Sequence, residues 1–255
     1  PPYRSACQGK KSLSRMSIKA GATSALFAAL LLTGCSGSAG PRPDRDIPSS
    51  EFPAAHRPVA PIVSSRWSTE EARDRLKEAD HVMDLAGVKN GMTVADIGAG
   101  EGYYTIRLAQ RVGAKGRVLA EDIIPEVRNT LAERVYRERL DNVSVRLGAP
   151  ADPKLPERSF DRILMVHMYH EIEAPYEFLW RMRPSLKPGG RVVIVDADRP
   201  TANHGTPPAL LACELAAVGY RAGEAKALPQ QGTYLRVFEP VGARPEPGAI
   251  KTCKG

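Results

Sequence analysis

The stretch Val94-Ala95-Asp96-Ile97-Gly98-Ala99-Gly100-Glu101-Gly102-Tyr103-Tyr104-Thr105 decides the fold. An apolar run ends in an acid, and three alternating glycines follow before a segment with helical apolar spacing. Glycines in these places let the backbone turn tightly and approach a ligand without a Cβ in the way. The helix that follows offers unpaired N–H groups to the edge of a sheet. Working outward, strand and helix signals alternate. Strands are predicted at 93–97, 117–121, 143–147, 160–166 and 191–196, and helices at 104–112, 125–140, 175–186 and 208–218. Two last strand-like runs, 224–228 and 233–238, flank Gly232 as a hairpin would. Ahead of the first strand, Ser68 and Glu71 have capping-box spacing, and Leu76, Ala79, Met83 and Ala86 share one helical face. The alternation predicts an α/β fold, a doubly wound, mostly parallel seven-stranded sheet with a C-terminal antiparallel hairpin strand.

A glycine-rich turn also opens dinucleotide sites, so its details matter. Here the spacing is Gly-x-Gly-x-Gly rather than Gly-x-Gly-x-x-Gly, and Asp96 stands before the first glycine. A carboxylate repels a pyrophosphate and attracts the ammonium group of a methionine moiety. The acid therefore favours S-adenosyl-L-methionine over a nicotinamide dinucleotide. Glu121-Asp122 closes the second strand about 20 residues further on, a distance that suits an acid accepting hydrogen bonds from ribose hydroxyls.

Three more segments join this one: Val118-Leu119-Ala120-Glu121-Asp122-Ile123-Ile124-Pro125-Glu126, Leu155-Pro156-Glu157-Arg158-Ser159-Phe160-Asp161 and Leu186-Lys187-Pro188-Gly189-Gly190-Arg191. In this order, across residues 89–196, the chain resembles the class I S-adenosylmethionine-dependent methyltransferases of small-molecule type. The resemblance implies a Rossmann-like sheet and a cofactor site at Asp96, Gly98, Ala99, Gly100, Gly102, Asp122 and Ile123. Alignment on Pro125 makes Asp122 the ribose ligand rather than Glu121. Where many members carry Gly-Asp against adenine, this chain has Gly148-Ala149, so that contact falls to the backbone at 150–151, including Ala151, or to Asp152. After the fourth strand, Val166-His167-Met168-Tyr169-His170-Glu171 occupies the position that faces the methyl group in related folds. There His167 is expected to line the cofactor, and Tyr169 or His170 to orient or deprotonate an acceptor. The alternative is that His170 and Glu171 cap the next helix or satisfy each other. His204, after the fifth strand, is a further residue that looks toward the pocket or into solvent.

Other features narrow the acceptor. No Asn-Pro-Pro-Tyr-like motif follows the fourth strand, no cysteine sits near the cofactor motifs, and no large insertion offers a grip on a polymer. These features count against methylation of nucleobases and of glutamine. A small, lipophilic acceptor is expected, in the manner of the enzymes that build ubiquinone and menaquinone.

Hydrophobic content of 42% and charged content of 25% are those of a soluble globular protein. The net charge of +7 invites a nucleic-acid reading. Five of the 36 basic residues (Arg4, Lys10, Lys11, Arg15, Lys19) fall within residues 1–34, which hold no acid, leaving 31 against 29 acidic residues elsewhere. The rest of the chain is near neutral, and no nucleic-acid partner is expected. Residues 1–34 read as a signal segment. Lys19 precedes an apolar run at 20–32 that is shorter than the ~20 residues of a spanning helix and ends in Leu32-Thr33-Gly34-Cys35. That ending resembles a lipobox, which implies membrane contact through a lipidated Cys35 and a cell-envelope location. Met16 is a plausible true start.

Residues 35–66 read as a Pro/Gly/Ser-rich tether, 67–240 as the methyltransferase domain and 241–255 as a flexible tail. Cys213 and Cys253 pair if the domain is exported, although Cys213 on an apolar helical stretch reads better as a small buried hydrophobe. The cysteines form no metal-ligand pattern, and no metal site is expected. The competing reading is an exported envelope module that uses the same pocket to bind a small ligand without catalysis.

Overall fold

In a computed structural model of the chain, residues 44–62, 69–229 and 232–254 are described. The signal segment, Cys7, Cys35, Trp67 and Ser68 lie outside them. Seven strands form one sheet in the order β3-β2-β1-β4-β5-β7-β6. They are β1 (Thr93–Ile97), β2 (Arg117–Asp122), β3 (Val143–Leu147), β4 (Phe160–Val166), β5 (Leu186–Ala197), β6 (Tyr220–Ala227) and β7 (Thr233–Pro240). All neighbours pair in parallel except β7, which runs antiparallel to both β5 and β6. This is the predicted fold class.

The central strands read as near-continuous apolar runs because helices cover both faces. On one face, α5 (Pro175–Met182) and α6 (Pro208–Ala217) bury Phe178, Leu179, Leu211 and Leu215 with Ile163, Met165 and Ile194. On the other, α2 (Glu78–Leu85) and α3 (Tyr103–Val112) bury Val82, Met83, Leu108 and Val112 with Val94, Leu164 and Val193. Helix α4 (Pro125–Arg137) lies against β2 and β3 and buries only Leu131. The helix predicted ahead of β1 is two, because Lys77 adopts a left-handed conformation that separates α1 (Glu70–Arg75) from α2. Strand order reverses between β1 and β4, each followed by a loop at the carboxyl edge. That crevice is where doubly wound sheets bind ligands.

Two composition-based expectations are corrected. Residues 44–62 of the expected tether are part of the fold. Ile47 is buried, and Arg57 is ion-paired to Glu214 at 2.8 Å with both side chains 1% exposed. The expected flexible tail is also fixed. Trp180 Nε1 donates to the Pro245 carbonyl, Arg244 stacks on the Trp180 ring and pairs with Asp44, and Ile250 is buried. Low apolar content concealed these segments, which are held by a few buried anchors and ion pairs. Cys213 and Cys253 form a disulfide closing 40 residues, rather than leaving Cys213 as a reduced core residue. A loop of this length stabilises a domain by about 2–4 kcal/mol.

Candidate active site

A cavity of about 790 Å³ opens at the reversal point, within the ~300–1,000 Å³ of small-molecule sites. One end is built from the loop after β1. Asp96 is 2% exposed, and its Oδ2 accepts a 2.6 Å hydrogen bond from Thr105 Oγ1 in the first turn of α3. Burial pushes its carboxyl up to about 6, and the nearby Asp122 adds to the shift. Gly102 caps α3 at φ +91°, and a methyl group there would collide with Leu131. The tight turn lets the loop reach across to β2, where Ala99 N–H donates to the Glu121 carbonyl. Asp122 is locked by two backbone donors, Gly100 N–H on Oδ2 at 3.0 Å and Ile124 N–H on Oδ1 at 2.9 Å.

Beside it lies Glu121, the neighbour of the expected ribose ligand. Its carboxyl is buried in the cavity wall, with Oε1 lacking a hydrogen-bond partner. A Cβ at Gly148 would strike it, so glycine is required there. Burial, reinforced by Asp122, pushes this carboxyl from 4.5 up to about 8. The folded state thus holds a proton that the unfolded chain releases above about pH 4.5, so stability falls as pH rises from there to about 8 and then levels. Glu121→Gln removes this slope. At pH 8 the ligand-free variant is expected to be more stable than the parent by ~1–3 kcal/mol, with the gap closing toward pH 5. Thermal unfolding at the two pH values measures it, and equal melting temperatures at pH 8 would contradict the buried acid.

The N-terminal helices cover this end. Arg73 pairs with Glu78 at 2.5 Å and lies over the Tyr103 ring. Glu78 also accepts from Tyr104 Oη at 2.9 Å. Burial raises the Glu78 carboxyl, but Arg73 outweighs it and holds the group below its ordinary value.

The other end comes from the loops after β4 and β5. His167, left-handed at φ +56°, lines the cavity 3.9 Å from Glu78, and burial lowers its imidazole against the pull of that acid. His170 is 2% exposed, with Nδ1 2.9 Å from Asp196 Oδ1. Asp196 also accepts from Ala197 N–H and, through Oδ2, from Thr206 Oγ1. An all-acceptor Asp196 places the proton on His170 Nδ1 and leaves the lone pair on Nε2. Met168, Glu171, Ile172, Phe178 and His204 line the same end.

Asp96, Gly98, Ala99, Gly100, Asp122, Ile123, His167 and His170 thus meet in one cavity, while Gly102 shapes the loop from beneath. Three residues do not join them. Tyr169 is fully buried on the far side of its turn, where its hydroxyl donates to Glu214 at 2.7 Å and burial raises its phenol well above the ordinary value. This removes it as an acceptor contact. Pro150 rather than Ala151 or Asp152 lines the cavity. The Asp152 carboxylate instead accepts from Lys154 N–H at 2.7 Å and closes its own turn. Sequence reasoning missed Arg73, Glu78 and Asp196. Only Asp196, an acid ending an apolar strand as Asp96 does, carried a local signal.

A family of methyltransferase domains matches residues 88–236. Nocamycin O-methyltransferase of Saccharothrix syringae is 36% identical over 118 residues, 45% of this chain and 41% of that protein. A ubiquinone/menaquinone biosynthesis C-methyltransferase of Hahella chejuensis is 30% identical over 123 residues, 47% of this chain and 48% of its own length. The chain spans half or less of the curated relatives it matches. The crystal structure of a SAM dependent methyltransferase from Aquifex aeolicus superimposes with a TM-score of 0.59 at 29% identity, covering 66% of this chain and 90% of that one. By the match over residues 88–236, this chain belongs to the methyltransferase domain family.

Proposed function

We propose that the chain is an S-adenosyl-L-methionine-dependent methyltransferase acting on a small acceptor. One observation carries the reading: a single cavity joins an acid-lined glycine loop to an Asp-backed histidine. The residues present fit the cofactor. Asp96 offers a buried carboxylate to its ammonium group, the locked Asp122 offers fixed acceptors to its ribose, and Glu121 adds a buried acid, one oxygen of which lacks a hydrogen-bond partner, to the same wall. When bound, the cofactor supplies a methyl group already activated on a sulfonium. The chain then has to align the acceptor and exclude water. Burial under Arg73 and Glu78 serves the second task, and the wall of Met168, Ile172 and Phe178 favours a small, lipophilic molecule. Both curated relatives named above carry small-molecule names, which supports this acceptor class. Calorimetric titration with S-adenosylmethionine, with Asp96→Ala and Asp122→Ala beside the parent, tests the proposal. Micromolar binding lost in either variant supports it, and no binding by the folded parent would overturn it.

The disulfide is the observation that favours an envelope location, with anchoring through a lipidated Cys35, because such bonds persist in oxidising compartments. In cells quenched with acid, Cys213 and Cys253 are expected to resist alkylation until reduced. Free thiols at both positions would place the domain in a reducing compartment instead.

A further inference from the structure

At the acceptor end, two imidazoles and a carboxylate converge. His170 Nε2 is buried and has no hydrogen-bond partner. Glu171 follows it in the same turn, and His204 arrives from the loop after β5 with its ring 5.5 Å from that of His170. One donor atom from each of the three lies within 4.8 Å of the others, and all three residues line the cavity.

We propose that His170, Glu171 and His204 bind a divalent transition-metal ion facing the acceptor. The donor chemistry selects the ion. Two imidazoles and one carboxylate suit zinc, manganese, iron(II) or cobalt, whereas magnesium and calcium prefer all-oxygen sites. Three protein ligands also leave positions open for a substrate. The backing is that of a metal ligand. His170 donates Nδ1–H to Asp196, which fixes its tautomer and points the Nε2 lone pair away from the dyad, as ligating histidines are commonly held. Asp196 is itself anchored by Ala197 N–H and Thr206 Oγ1.

The frame is rigid as well. Arg57 donates to the Ile172 carbonyl and Ala60 N–H to the His170 carbonyl, pinning the turn from outside. A Cβ at Gly205 would strike the Ala197 backbone, so the His204 loop is drawn against the end of β5. A buried imidazole nitrogen without a partner is a cost that a coordinated cation removes. A role for His170 as a simple base would use one of the three residues and leave the convergence of the others unexplained. The sequence concealed the site because 33 positions separate Glu171 from His204, which matches no short ligand motif.

The consequence for the reaction rests on the methyltransferase reading, but ion binding does not. An acceptor hydroxyl coordinated to the ion releases its proton to solvent more readily. The resulting oxyanion forms the new O–CH3 bond as the S–CH3 bond breaks. The electron pair of that bond stays on sulfur, which leaves as a neutral thioether. The acceptor class is therefore a phenol, enol or similar hydroxyl compound.

The test uses the tag-free full chain, stripped with a chelator and titrated with Co2+ while visible absorption and heat are recorded. One equivalent should bind with ligand-field bands, and Glu171→Gln and His204→Gln should each weaken binding tenfold or more. Asp196→Asn, a positioning change, should weaken it by about 10- to 100-fold. If burial prevents that variant from folding, the two cavity-lining variants carry the result, with circular dichroism as the control for folding. No binding, or binding that both variants retain, overturns the site. S-adenosylmethionine is titrated separately. Cofactor binding without cobalt binding removes only the metal site, and cobalt binding without cofactor binding removes only the methyl-transfer reading.

Discussion

Glu214→Ala is expected to destabilise the domain by about 3–5 kcal/mol, because it strands a buried guanidinium. Glu214, on α6, accepts from Arg57 Nε through Oε1 at 2.8 Å and from Tyr169 Oη through Oε2 at 2.7 Å. Arg57 reaches on to the Ile172 carbonyl at 3.2 Å. Loss of the acid leaves a positive charge with only carbonyl partners in a site 1% exposed. It also unlatches residues 44–62 from the wall that carries His170. Urea unfolding measures the loss, and limited proteolysis should show new cleavage within 44–62. A loss under ~1 kcal/mol would mean that the pair is solvated in solution. Replacing both partners with apolar residues of similar volume should recover most of the stability, since the desolvation of both charges disappears.

The second large effect is on the cofactor. Asp96→Asn is expected to weaken S-adenosylmethionine binding by ~2–5 kcal/mol, about 30-fold to several-thousand-fold, the usual result of removing one partner of a buried charge pair. The pH dependence gives a signature that a folding defect would not. Burial holds the ligand-free Asp96 carboxyl at about 6. Below that pH the group is protonated and must lose its proton to meet an ammonium group. Affinity should therefore rise about tenfold per unit as pH increases toward 6 and flatten above it. The window is kept below about pH 7, before a free α-amino group begins to deprotonate near 7.7–8.0. Asp96→Asn should bind weakly with no such rise. Calorimetry at pH 5, 6 and 7 separates the two, and a flat profile in the parent would remove Asp96 from the ammonium site.

Some of this was legible because it is written locally. Val94 to Thr105 specify strand, turn and helix within a dozen residues, and an acid before alternating glycines has one electrostatic sense wherever it occurs. The alternation of apolar runs fixed the parallel sheet and its closing hairpin in the same way. Direction within a turn was not legible. Tyr169 and His170 are adjacent, yet the 3-10 turn at Tyr169–Glu171 sends one hydroxyl to Glu214 in the core and aims one imidazole at Asp196.

Partnership across distance was not legible either. His170 and Asp196 lie 26 residues apart and meet because β4 and β5 are parallel neighbours with Val166 beside Val195. Arg57 finds its acid 157 residues away, in a segment whose Pro/Gly-rich composition argued for a flexible tether, and the Cys213–Cys253 pair was legible only as the alternative to a buried thiol. The sequence by itself determined the sheet, the glycine loop and the sign of the charge that the loop prefers, because those follow from local backbone freedom and periodicity. Only the tertiary structure decided what backs each histidine of the cavity and what seals its wall, because buried polar groups take their partners from wherever the fold delivers them.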